Sequence, residues 1–190
     1  MISFEFLITS LIVVLIPGTG VVYTISTGLV QGRKASVFAA LGCTAGIIPH
    51  LMATVLGLAA VMHASAVAFQ VLKYAGVAYL LYIAYATWRD KSASAVDESL
   101  SRSSASGLVV KASLLNILNP KLTIFFLAFL PQFIQPNASE PLLQLLLLSA
   151  LFMAMTFFVF VIYGLLAHLF RKAIIESQQV QSWLRRGFAA

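Results

Sequence analysis

Of the 190 residues, 61% are hydrophobic and only 9% are charged, against roughly 25% charged in an ordinary soluble domain. A water-soluble fold is excluded, because a chain this short cannot hide so much apolar side chain from water. The net charge of +6 does not mark a nucleic-acid binder, since the basic residues are spread through the segments between apolar runs.

Apolar runs near the length of about 20 residues that crosses a hydrocarbon core predict five spans. The first covers 4–29. It has no basic lead-in, and Glu5 is its only early charge, so it reads as a membrane helix rather than a cleavable signal. The second covers 36–62 and holds the lone cysteine, Cys43, which excludes an internal disulfide. Gly42, Gly46 and Ala53 recur along it and predict close helix packing. The third span, 68–88, carries Tyr79, Tyr82 and Tyr85, which either line a cavity or pack. A charged, Ser-rich linker over 89–111 follows. The fourth span covers 112–133 and the fifth 142–170. Beyond them Ile174, Ile175, Val180, Trp183 and Leu184 predict the apolar face of an interfacial helix.

Orientation follows from the basic residues near span ends. Arg33, Lys34, Arg89, Lys91, Arg102, Lys111, Arg171, Lys172, Arg185 and Arg186 fall on one side, and only Lys73 on the other. The rich side is cytoplasmic by this rule, which puts the N-terminus outside. The acids Glu5, Asp90, Asp97, Glu98, Glu140 and Glu176 all lie at span ends or in loops.

The first and fourth spans share a plan: an apolar lead-in, a proline (Pro17 or Pro120), about ten apolar residues, then a helix-ending Gly or Pro before Gln. Three spans separate their starts, so the two cross in opposite directions. That pattern predicts an inverted repeat with a site at mid-membrane, the alternative being prolines that merely kink their helices. The expected architecture is an all-α integral membrane bundle of two inverted three-helix repeats with Pro-broken first helices. Residues 1–88 form the first repeat and 112–190 the second.

"IPGTGVVYTISTGLVQGRKA", "ALGCTAGIIPHLMATVLGLAA", "LKYAGVAYLLYIAYATWRD" and "LLNILNPKLTIFFLAFLPQF" together resemble the lysine exporter family of bacterial amino-acid efflux proteins. The resemblance runs in order over nearly the whole chain. It implies a small exporter of the bacterial inner membrane, with six spans and an ion gradient as driving force. The family's Pro-Gly-Pro stands here as Pro17-Gly18-Thr19, with Gly20 keeping the stretch permissive. The sixth span is the other departure: only "GFAA" follows Arg186. The chain therefore reads as truncated, the alternative being a partner that completes the bundle.

Three features fall near span centres: Pro17-Gly18, Pro49-His50 and Asn119-Pro120-Lys121. A proline leaves the carbonyl one turn earlier without its donor, and lipid cannot satisfy it. The half-helix after each break presents free N–H groups and a positive dipole end. Pro17, Gly18, Gly20, Asn116, Asn119, Pro120 and Lys121 are accordingly the expected substrate-binding residues. A mid-membrane lysine costs about 2.5–3.5 kcal/mol on insertion scales, so Lys121 either meets the substrate carboxylate or snorkels along its stem. His50 either carries a coupling proton or donates to a carbonyl freed by Pro49. Asn116 and Asn119 either join the site or bond neighbouring helices.

The expected function is export of amino acids, neutral ones or their derivatives, coupled to a proton gradient. An accessory membrane subunit and an intramembrane enzyme are the alternatives. No catalytic residue, metal or cofactor is expected. The partners are the amino acid and the bilayer, and the sequence leaves self-association open.

Overall fold

The structure, a computed structural model, describes residues 2–89, 104–134 and 140–171. The helices are α1 (Phe4–Leu15), α2 (Thr19–Gln31), α3 (Arg33–Ala45), α4 (Ile48–Ala64), α5 (Ala66–Arg89), α6 (Ala105–Ile117), α7 (Pro120–Phe129) and α8 (Pro141–Leu169). A single 3-10 turn, Leu130–Phe133, extends α7. The described residues contain no strand. The interfacial segment expected over 174–184, most of the linker, and the residues where a sixth span would begin lie outside the described residues.

The helices combine into spans as the proline positions dictate. α8 crosses alone with 29 residues, and α3 with α4 supplies an apolar span over Arg33–Leu58. α1 and α2 form one span bent by 55°, and α6 with the α7 segment forms another bent by 64°. Both bends sit where the sequence predicts them, at Pro17 and Pro120. In α5 the apolar stretch is Val67–Tyr82, shorter than the expected span over 68–88.

Local signals set the boundaries. Ser3 caps α1 by accepting from the Phe6 N–H at 3.2 Å, and Ser104 caps α6 by accepting from the Gly107 N–H at 3.2 Å. α6 thus begins inside the stretch expected to be linker, because Ser104 is a good N-cap and Leu108, Val109 and Val110 follow it. Gly32, at φ 91°, turns the chain from α2 into α3. Only glycine adopts that conformation without strain.

α2, α3, α6 and α8 form the centre, and α5 packs at the edge on α4 and α7. In lipid, apolar burial does not drive helices together, so close packing and interhelical hydrogen bonds must. Glycine provides the first. A Cβ at Gly42 would stand 2.5 Å from the Val109 carbonyl oxygen, and one at Gly46 2.7 Å from that of Ser113. A Cβ at Gly28 would stand 2.5 Å from the Gly164 carbonyl oxygen of α8, and one at Gly164 2.5 Å from Ser36 Cβ of α3. The small-residue reading of the second span therefore holds for Gly42 and Gly46. Ala53 is exposed and takes no part. The outer surface is apolar, with Phe4 73% and Phe158 64% exposed, as a lipid-facing surface requires.

Candidate functional site

The two proline breaks open into one cavity of about 330 Å³. From the first break come Ile16, Gly18, Thr19, Gly20 and Val21, and from the second Asn116, Asn119 and Leu122. Phe152, Thr156 and Phe160 of α8 complete the wall, with Phe125 and Phe126 of α7.

The chain that lines the cavity at the first break has opposite ends of two helices side by side. The first intrahelical bond of α2 is Val22 N–H to the Gly18 carbonyl, 3.0 Å. The N–H groups of Thr19, Gly20 and Val21 therefore have no partner within α2, and Gly18 supplies no side-chain cap. On the other side α1 ends in carbonyls that lack helical donors, Val13's because Pro17 has no N–H. Val13, Val14 and Ile16 line the cavity. The Leu15 carbonyl, freed by the same break, accepts from the Tyr163 hydroxyl of α8 at 2.8 Å. The site thus offers donors with a positive dipole end beside acceptors with a negative one. Among the described residues no acidic side chain lines it.

Gly18 and Gly20 serve different ends. At Gly18 the backbone is ordinary extended chain, and a Cβ there would meet nothing within 4 Å. Its missing side chain is space in the cavity. Gly20 is buried within α2, and a Cβ would lie 2.8 Å from the Phe160 ring. Its smallness admits Phe160, so the expected role in backbone freedom is replaced by one in packing.

The second break is satisfied by the first half of the chain. Asn116 would bond residue 120 in an unbroken helix, but Pro120 has no N–H. The Asn116 carbonyl accepts instead from Asn119 N–H at 3.0 Å and from His50 Nε2 at 2.8 Å. A carbonyl only accepts, so Nε2 carries the hydrogen. Nδ1 lies 2.5 Å from Thr123 Oγ1, and in the neutral ring it accepts from that hydroxyl. The reciprocal bond comes from the Asn116 side chain, whose Nδ2 donates to the Cys43 carbonyl at 2.6 Å. Cys43 has lost its own helical donor because Ile47 N–H turns to Thr44 at 3.1 Å. His50 thus donates to a freed carbonyl, and the proline that frees it is Pro120, not Pro49.

The cavity brings together Gly18, Gly20, Asn116 and Asn119. Pro17 sits exposed at the break without lining the cavity. His50 is buried behind Asn116 rather than in the wall. Lys121 is the second residue of α7, but its side chain and that of Pro120 lie outside the described residues. The tyrosine stripe does not reach the cavity: Tyr82 is 64% and Tyr85 58% exposed, on the outside of α5. Sequence reasoning missed Thr156 and Phe160, ordinary residues of an apolar span. It also missed Thr123, whose one signal is being the lone hydroxyl in "LTIFFLAF".

An aromatic cluster backs the cavity towards the start of α1. Phe126 meets Phe152 edge-on at 5.1 Å, and Phe125 stacks on Phe129 at 5.2 Å. Phe6 of α1 packs on Phe133 at 5.1 Å.

The homoserine/homoserine lactone efflux protein of Salmonella typhimurium is 30% identical over 184 residues, 96% of this chain and 83% of that protein. An uncharacterized membrane protein of Vibrio cholerae is 36% identical over 132 residues, which are 70% of this chain and 64% of the relative. The leucine efflux protein of Klebsiella pneumoniae is 30% identical over 142 residues, 72% of this chain and 65% of that protein. No solved structure matches the chain. Residues 11–190 match the LysE type translocators, and with proline-broken spans opening on one cavity in a multi-pass helical membrane protein, the chain belongs to that family.

Proposed function

We propose that the chain exports amino acids with uncharged side chains, or their derivatives, and that the cavity between the two breaks is the substrate site. The observation that carries this reading is the pairing of helix ends at the first break. An amino acid is a zwitterion, and the site offers a matching pair of partial charges on the two sides of the break. The carboxylate goes to the N–H groups of Thr19, Gly20 and Val21, as at other broken membrane helices. The ammonium goes to the carbonyls that end α1. The side chain lies against Phe125, Phe152 and Phe160, with Thr156 near.

Lys121, at the start of α7, adds positive charge for the carboxylate. His50 is the candidate carrier of a coupling proton, one residue behind the wall. The two bent spans are the first helices of inverted repeats, and the membrane is the bacterial inner membrane with the N-terminus outside. The relatives that export homoserine, its lactone and leucine support a substrate of this class.

Uptake of labelled homoserine and leucine into inverted vesicles tests the reading. Uptake above that of vesicles lacking the chain, abolished by collapse of the proton gradient, is expected. Uptake equal to the background for every neutral amino acid would overturn it.

A further inference from the structure

At the other end of the bundle a second cavity, of about 450 Å³, lies where α2 ends, α3 and α6 begin and α8 ends. Lys34 of α3 and Arg171, just after α8, both line it, and among the described residues no carboxylate does. Both cations are exposed, so they cost little in the folded chain, but they face one shared space and repel one another. A third positive contribution comes from α6. Its first intrahelical bond is Leu108 N–H to the Ser104 carbonyl at 2.9 Å. The N–H groups of Ala105 and Ser106 are left over, and Ala105 lines the cavity. The rest of the wall is mixed: Gln31 lines it beside the apolar Val30, Ala35, Phe38 and Leu108. Phe38 is 38% exposed at the outer surface.

We propose that this cavity binds the phosphodiester headgroup of an anionic phospholipid. Two cations and a helix start make a seat for one phosphate, and a basic pocket between helices at a membrane face suits a lipid headgroup. A free phosphate shares that chemistry. Phe38, exposed at the outer surface beside the cavity, favours the lipid, whose acyl region would run along Phe38 and Val30. This site is separate from the substrate cavity and shares no lining residue with it.

The test is binding of phosphatidylglycerol, phosphatidylcholine and inorganic phosphate to the purified full chain in uncharged detergent, read by native mass spectrometry. Each surface cation contributes about a five-fold preference for anionic lipid, so the pair gives roughly thirty-fold. Phosphatidylglycerol should be retained over phosphatidylcholine by that order. Lys34→Gln with Arg171→Gln should remove the preference, and Lys34→Arg with Arg171→Lys should keep it. Lys111→Gln, a cation on α6 outside this cavity, should leave it unchanged. No loss in the double Gln variant, or an equal loss in Lys111→Gln, overturns the proposal. Inorganic phosphate binding as tightly as the lipid overturns the assignment to lipid.

Discussion

His50 and Pro120 are partners although 70 positions separate them in the sequence. The proline removes the donor that Asn116 would have had, and the histidine replaces it at 2.8 Å. Interhelical hydrogen bonds in membranes are worth about 1 kcal/mol each, and His50 makes two such contacts. His50→Ala should therefore destabilise the fold by about 2 kcal/mol. In a Pro120→Ala background, residue 120 regains an N–H and can bond the Asn116 carbonyl itself. There the same His50→Ala change should cost about 1 kcal/mol less. A double-mutant cycle of unfolding in detergent measures this, and purely additive losses would show that the two residues are not coupled. Lys121→Met belongs to the same scale. It removes a cation that costs about 2.5–3.5 kcal/mol at mid-membrane, so unfolding should be no easier. Vesicle uptake should fall at least ten-fold. Unchanged uptake would make the lysine a bystander at the break.

At the scale of elements, glycine decides which helices meet. Gly42 and Gly46 let α3 lie backbone against backbone on α6, close enough for the Ser113 hydroxyl to reach the Gly42 carbonyl at 3.0 Å. Gly42→Ala would place a methyl 2.5 Å from the Val109 carbonyl oxygen and 2.8 Å from its Cα. Backbone cannot step aside as a flexible side chain can. A loss of about 1–3 kcal/mol is expected, with the Asn116–Cys43 bond strained in turn. Gly57→Ala is the contrast. Its Cβ would meet only Leu127 Cδ2, at 3.9 Å, and alanine favours helix by about 1 kcal/mol over glycine. Thermal unfolding in detergent should move down for the first and slightly up for the second. Equal shifts would mean that α3 and α6 are not in backbone contact.

At the scale of the whole molecule, charge placement restricts the cargo. Among the described residues the cavity has no acidic lining residue, and the helix starts that open on it carry positive ends. A lysine or arginine substrate would bring a side-chain cation with no carboxylate among the described lining residues to pair it, and unpaired charge in a low-dielectric site costs several kcal/mol. Neutral amino acids meet no such penalty. Unlabelled lysine should therefore compete with labelled homoserine at least ten-fold more weakly than unlabelled homoserine does, in inverted vesicles. Competition by lysine at equal concentration would overturn this restriction. Aromatic contacts run from the cavity wall at Phe152 through Phe129 to Phe6 of α1.

Much of this was legible one residue at a time. The bends follow from Pro17 and Pro120, because a missing N–H and a ring clash act on the chain locally, whatever surrounds it. The membrane class follows from composition, since any arrangement of these residues in water would leave too much apolar surface exposed to it. The small-residue seam at Gly42 and Gly46 follows from spacing. The pairing of groups was decided by tertiary structure alone. Nothing in the residues near His50 says that its ring will answer a carbonyl in α6 rather than one freed by Pro49. Nothing near Tyr82 says that it will face outwards, nor near Phe160 that it will fill the space Gly20 leaves. A freed carbonyl or an empty glycine face states only that something must come to it, and which side chain comes depends on how distant helices cross.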